Sequence, residues 1–430
     1  MGDLFHRSAY LAEVILVLGA MFTLLVAAHE LGHYLFARLF NMGVEEFAIG
    51  FGKRPIYEWM RRTYVVPLRP GEVSEISHPQ PAKFDLESGG QRPAEDVVEF
   101  ETPDGKFLRE TTRFTIRAWP LGGFVRIKGM MPEEDGSEVK IAGGFYSKPP
   151  WQRWLVLFAG PLFSVVAGIL ILVPIFMVEP NKPSKQPVFG MLLPTGAAKK
   201  AGLQEGDRIV SVDGTPITNF YQVVELVRFN QGKTVDLVVN RLGKTLDFKV
   251  TPVKDNEKSP VLTEDFEPSG IREFQWRLGA GSPLRTAGFG EAISMACSFP
   301  VDAVSGLMGI VAQPSTFKDQ VGGPVSIAGV TYQTVKDGPS QIFKLAALLS
   351  ISIGILNLLP VAPLDGGQMV FALVEMFKRR RLSIQFQSMV TMFGMAFMLV
   401  LIVCVCFVDV SKLIDKGKAP KEAPPAKATK

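Results

Sequence analysis

The sequence predicts a polytopic α-helical membrane protein with four transmembrane helices, a membrane-associated β-element and one inserted α+β domain. Two observations carry the membrane reading. Apolar residues make up 47% of the 430-residue chain and charged residues 20%, against about 25% in ordinary soluble domains, and the mean hydropathy is +0.20. The apolar excess is concentrated in four blocks separated by polar stretches. A third observation predicts the inserted domain: short β-rich runs with Gly-Asp and Asp-Gly turns lie between the second and third blocks.

Taken in order, residues 1–40 form the first transmembrane helix. Its most apolar stretch, 14–28, has no small-residue cleavage site and reads as a retained span, not a signal peptide. Residues 41–150 form a cytoplasmic, membrane-associated region with strand-like runs at 111–117 and 123–128. Within it, 64–110 is a polar insert whose role the sequence leaves open. The second helix covers 151–178 and carries no charge from 154 onward. The α+β domain covers 184–255, with strands over 208–212, 235–239 and 246–250 and a helix over 221–229. Residues 256–341 form a linker whose apolar pieces, 292–296 and 304–311, are each too short to span and are expected to be packed or surface-lying helices. The third transmembrane helix, 342–367, is interrupted by Pro360 and Pro363. Broken backbone at membrane depth is tolerated only where it is buried in protein or lines a wet cavity, so this break points to function. The fourth helix covers 386–408, and the basic, Lys/Ala/Pro-rich tail 412–430 is expected to be disordered.

Basic residues orient the chain. Lys378, Arg379, Arg380 and Arg381 follow the third block, and Lys53, Arg54, Arg61, Arg62, Arg126, Lys128 and Lys148 lie between the first two. Both loops are therefore expected in the cytoplasm, with the N-terminus, the α+β domain and the tail outside; the basic tail runs mildly against the rule. With 46 basic against 42 acidic residues, the charge balance suggests no nucleic-acid partner. The three cysteines, Cys297, Cys404 and Cys406, support neither a disulfide framework nor a thiolate zinc site.

The chemistry is concentrated in His29-Glu-Leu-Gly-His33. On a helix, positions i and i+4 share a face, so both imidazoles can reach one zinc ion while Glu30 sits beside it as general base. Ionisable residues inside an apolar span are costly and functional by default. A catalytic zinc needs a third protein ligand. His6 is terminal, His78 lies in the polar insert, and Glu13 lies near the opposite end of the first span. Asp365 follows the broken third span directly, at the same expected depth as His29 and His33, and is the expected third ligand. Two rivals stand beside this reading. One is a membrane zinc protease of the prenyl-protein type with a Glu ligand, and the other is a non-enzymatic membrane scaffold.

The pairing of this motif with Asn357-Leu-Leu-Pro-Val-Ala-Pro-Leu-Asp-Gly366 resembles the site-2 protease family of intramembrane metalloproteases, in particular its RseP-like branch. Phe47-Ala-Ile-Gly-Phe-Gly52, Pro120-Leu-Gly-Gly-Phe-Val-Arg-Ile-Lys-Gly129, Ala159-Gly-Pro161 and Gly322-Gly-Pro-Val-Ser-Ile327 agree with that branch. Two positions depart from it: Ser164 stands where the family has Asn, and Ala362 where it has a second Pro. The resemblance implies zinc bound by His29, His33 and Asp365, Glu30 as base, and Asn357 as a substrate contact. It implies cleavage of single-span membrane proteins in a bacterial inner membrane during stress signalling, of a pre-cut anti-sigma factor or of remnant signal peptides. The 184–255 domain resembles a PDZ domain on the periplasmic side, which implies binding of peptide C-termini or filtering of substrate ectodomains. A strand of the 41–150 region is expected to offer its edge to an unwound substrate, alongside the lipid bilayer itself as partner.

Overall fold

The computed structural model describes residues 2–67, 84–85, 90–91, 97–102, 105–130, 143–266, 268–312 and 322–418. His78 and residues 419–430 of the tail lie outside them, as does much of the 64–110 insert. The described helices are α1 (Gly2–Leu39), α2 (Pro150–Val178), α3 (Ala197–Lys200), α4 (Phe220–Phe229), α5 (Phe289–Ala312), α6 (Pro324–Asp337), α7 (Pro339–Asn357), α8 (Asp365–Lys378) and α9 (Ile384–Lys418). The chain divides into two compact units, Met1–Leu172 with Ala296–Lys430, and Val173–Met295.

In the first unit, α1, α2 and α7 meet backbone to backbone. A methyl group added at Gly32 would lie 2.2 Å from the Ala159 carbonyl oxygen, at Gly168 2.8 Å from that of Ala347, and at Gly354 2.7 Å from that of Pro161. Helices in lipid have no hydrophobic drive to associate, so close approach at small residues supplies the contact instead. The contacts also fix direction. Gly32 meets Ala159 and His29 meets Ser164, while Ser164 and Gly168 meet Ser350 and Ala347. Hence α2 runs antiparallel to both α1 and α7. The chain breaks after α7, as the prolines predict, and restarts as α8 at Asp365. Pairing α9 with this break, a methyl group at Gly394 would collide with the Ala362 carbonyl. Farther along α9, buried Asp409 accepts the Gly323 N–H and the Ser326 N–H, both at 3.0 Å, and the Ser326 hydroxyl. A carboxylate thus caps the unsatisfied first-turn donors of α6, which explains the Gly322-Gly-Pro-Val-Ser segment.

Among the described residues, five helices are by length and composition apolar enough to cross a membrane, one more than the four blocks: Glu13–Leu39, Pro150–Val178, Phe289–Ile310, Pro339–Asn357 and Gln385–Lys412. The additional one is α5. The pieces 292–296 and 304–311 are not separate short helices, because α5 continues through Pro300. An internal proline removes one backbone bond but does not have to end a helix in apolar surroundings.

The described strands of this unit are β1 (Val44–Pro67), β2 (Phe84–Asp85), β3 (Gly90–Gln91), β4 (Val97–Thr102) and β5 (Gly105–Ile127). The first part of β1 is flanked by two stretches of β5: Phe47 faces Val125 on one side and Phe114 on the other. The second part of β1 pairs with β5 from Pro55–Arg117 to Pro67–Phe107. Among the described residues, 123–127 therefore form a sheet edge. A buried ion pair holds the bend of β1: Arg117 reaches both Glu46 oxygens at 2.9 Å, and Thr115 donates to Oε1.

The second unit holds β6 (Lys182–Pro183), β7 (Met191–Leu192), β8 (Arg208–Val212), β9 (Thr215–Pro216), β10 (Val235–Arg241), β11 (Lys244–Val250), β12 (Val253–Leu262), β13 (Pro268–Arg277), β14 (Ala280–Gly281) and β15 (Leu284–Arg285). Its central sheet has the order β11-β10-β8-β9. Helix α4 covers the sheet with Phe220, Val223 and Val227, and Asn219 starts it with a capping box. The unit extends past the expected 184–255 because β14 pairs with β7 and Leu278 joins the same core. The β12–β13 hairpin lies along a second face of α4, where Tyr221 donates to the Leu262 carbonyl and Arg228 pairs with Glu273.

Candidate active site

His29, Glu30 and His33 lie in the last third of α1, and both imidazoles are buried. Asp365 opens α8, directly after the broken stretch. The two glycines behind it are sterically required: a methyl group at Gly366 would sit 2.3 Å from the Leu359 oxygen, and at Gly367 2.2 Å from the Ala362 nitrogen. The Leu-Asp-Gly-Gly run therefore lets α8 start tightly against the preceding loop, with the Asp365 carboxylate turned to α1.

The three side chains converge. His29 Nε2 lies 3.0 Å from Asp365 Oδ2, His33 Nε2 3.4 Å from the same oxygen, and the two Nε2 atoms 3.2 Å apart. Each imidazole is oriented by its other nitrogen. His33 Nδ1 lies 2.8 Å from the Val156 carbonyl, which can only accept, so Nδ1 carries the proton and Nε2 presents a lone pair. His29 Nδ1 lies 3.0 Å from the hydroxyl of fully buried Ser164. The His33 Nε2 lone pair, His29 Nε2 and one Asp365 carboxylate oxygen thus converge on one spot.

A tetrahedral zinc with ligands at about 2.05 Å needs its donor atoms about 3.3 Å apart. The three observed separations, 3.0, 3.2 and 3.4 Å, straddle that value. Gly160 keeps the spot open, since a methyl group there would lie 2.2 Å from His33 Nε2 and 2.8 Å from His29 Nε2. A two-nitrogen, one-oxygen donor set of this size could hold a zinc ion and leave a fourth position open. Glu30 is half-buried, and its Oε2 accepts the backbone N–H of Val125 at 3.0 Å. That N–H belongs to the sheet edge at 123–127.

All four residues expected at the centre are thus brought together, and Asn357 is not among them. It is the last residue of α7, half-buried, and its side-chain amide bonds to none of the described residues. Three contributors were not legible as such: Ser164, Gly160 and the Val125 N–H. The first two had a signal. Gly160, Ser164 and Gly168 recur every four residues and so share one face of α2, the small-residue stripe typical of close helix packing.

The peptidase family M50 model matches residues 17–93 and 98–401. A regulator of sigma-W protease, RasP, from Bacillus subtilis (strain 168) is 31% identical over 426 residues, covering 91% of this chain and 97% of the relative. Zinc metalloprotease RasP from Bacillus licheniformis is 30% identical with the same coverage, and a putative zinc metalloprotease from Rhizobium meliloti (strain 1021) is 27% identical over 91% of this chain. The long apolar helices and the site agree with these relatives: this multi-pass membrane protein belongs to peptidase family M50, the site-2 proteases, and is a zinc metalloprotease.

Proposed function

We propose that the chain hydrolyses a peptide bond within or beside the transmembrane segment of single-span membrane proteins. The observation that carries the proposal is the meeting of His29, His33 and Asp365 beside Glu30, with Glu30 tied to a strand edge. His29, His33 and Asp365 hold the zinc, which supplies Lewis acidity when bound. Glu30 takes a proton from the attacking water and returns it to the leaving amine. The Val125 N–H holds the carboxylate at one rotamer for that exchange. A substrate helix has its peptide groups hydrogen-bonded and must unwind locally. The edge at 123–127 replaces the lost backbone bonds by strand addition, bringing the scissile bond to Glu30. Asn357, at the end of α7, contacts the bound strand.

Four helices span the bilayer: α1, α2, α7 and α9. Parity supports this count. The antiparallel course of α2 and α7 requires the connection between them to cross an even number of times. A crossing by α5 would need a second by α6, whose 14 residues reach about 21 Å against a hydrocarbon core of about 30 Å. So α5 lies on or beside the bilayer, and the α+β unit stays on the side opposite the basic 378–381 loop, the outside of a bacterial inner membrane. That unit is a PDZ domain receiving peptide C-termini or screening ectodomains. A relative is named as a regulator of sigma-W protease, which favours a pre-cut anti-sigma factor as substrate, with remnant signal peptides as a second class.

The test is Glu30→Gln in native membranes. Zinc content is expected to stay at the wild-type level, cleavage to stop, and uncut single-span proteins to co-purify with the variant. Undiminished cleavage by Glu30→Gln would remove the assignment.

A further inference from the structure

Where α8 ends and α9 begins, the two helices line an open-sided cavity of about 700 Å³. Its wall is apolar, from Phe371 and Val374 on α8 and Phe386 and Val390 on α9, and its mouth carries Lys378, Arg380 and Arg381. We propose that this cavity binds an anionic phospholipid, with the headgroup phosphate at the basic mouth and an acyl chain along the apolar wall.

Four features of the site favour that ligand. The charge is of one sign: from 376 to 408 the chain has no acidic residue. Glu375, the nearest carboxylate in sequence, is buried and already engaged by Arg153 at 2.5 Å and by the Leu382 N–H at 3.1 Å. The mouth is held in shape, because the Arg381 guanidinium donates to the Tyr146 carbonyl, while the Lys378 and Arg380 side chains are exposed. The depth matches a lipid: the apolar span Gln385–Lys412 begins at the mouth, so the basic groups sit at headgroup level and the wall at acyl level. Exposed Phe377 and Met389 continue the apolar surface outside the cavity. A free phosphate would satisfy the mouth and leave the wall uncovered. The ligand has a structural consequence, since α8 runs from Asp365 to Lys378 and a seated lipid steadies the far end of the helix that begins with Asp365.

The test uses the full chain in nanodiscs of phosphatidylcholine with a minority of phosphatidylglycerol, released in the gas phase so that retained lipids are weighed by native mass spectrometry. The wild type is expected to retain phosphatidylglycerol in preference to phosphatidylcholine. Lys378→Gln/Arg380→Gln should lower that preference about thirty-fold, from roughly fivefold per basic residue at an anionic surface. Val374→Trp, which fills the cavity and keeps the charges, should abolish retention. Unchanged zinc content and an unchanged far-ultraviolet circular dichroism spectrum in both variants show that they are folded. Equal retention of the two lipids by the wild type would overturn the proposal. So would undiminished phosphatidylglycerol in either folded variant, or its displacement by millimolar inorganic phosphate, which would mark a free-anion site.

Discussion

Replacing Gly160 by Ala is the sharpest test of the metal centre, because the ligands themselves would have to move. The added methyl carbon would stand 2.2 Å from His33 Nε2, 2.5 Å from its Cε1 and 2.8 Å from His29 Nε2. An ordinary contact is about 3.5 Å, so His33 must withdraw by roughly 1.3 Å. Metal–ligand distances tolerate only about 0.2 Å. Neither imidazole can retreat freely, since Val156 and Ser164 hold their outer nitrogens. Changes to groups behind the ligands already lower metal affinity about 10–100-fold. Direct displacement of two ligands should exceed the upper end of that range. Metal analysis after dialysis against a graded series of competing chelator measures it, with cleavage followed in parallel. Gly329→Ala serves as the control, since a methyl group there meets nothing within 4 Å. It lies inside α6, where Ala is favoured over Gly by about 1 kcal/mol, and should leave zinc and activity intact. Wild-type zinc retention by Gly160→Ala across the chelator series would refute the reasoning.

Other expectations follow from contacts at and away from the centre. Ser164→Ala removes the partner of His29 Nδ1 and should weaken zinc binding about 10–100-fold in chelator competition, while Ser164→Asn, which keeps a hydrogen-bonding group, should restore most of it. Val125→Pro deletes the N–H bonded to Glu30 and disrupts the strand edge, so cleavage should fall severely with zinc content unchanged; full activity would remove the edge from the mechanism. In the α+β unit, burial alone would raise the Asp207 carboxyl, but the Arg241 guanidinium and the Gln204 N–H outweigh it and hold it below its ordinary value. A depressed carboxylate stabilises the fold above the ordinary range and loses that contribution as pH falls below about 4. Amide protection factors over 208–250, taken relative to the intrinsic exchange rate at each pH, should therefore fall on acidification in the wild type, and Asp207→Asn should already show a loss of about 2 kcal/mol at neutral pH.

The parts of this protein that were legible in its sequence are those with local rules. The i, i+4 spacing of His29 and His33, the apolar blocks, the break at Pro360 and Pro363 and the strands of the α+β domain all express periodicity or turn chemistry. Asp365 was reachable because depth in a membrane is a one-dimensional coordinate that sequence position tracks. The contacts that escaped join residues far apart in the chain through groups without a side-chain signature. The Val125 donor is a backbone N–H, Gly160 acts by lacking a side chain, and Asp409 caps a helix that begins 85 residues earlier. The length of α5 escaped for a different reason: 297–303, with Pro300 and Asp302, interrupts the apolar pattern and leaves two short pieces, while the helix runs through it.

The backbone-to-backbone seams between α1, α2 and α7 also set the route by which a peptide can arrive. A gap that cannot admit one methyl group at Gly32, Gly168 or Gly354 cannot admit an extended strand, which needs about 4.8 Å to its neighbour. On those sides the helices form a closed wall, and under the proposed function a peptide would reach Glu30 at the 123–127 edge by displacing the Val125 N–H from the carboxylate. If strand addition at that edge is the route, an arriving chain would already be extended, and discrimination would fall on how readily a segment leaves the helical state. Substrate segments with Gly or Pro near the cleavage point would pass this kinetic filter ahead of Leu- and Ala-rich ones, whatever side chains flank the scissile bond.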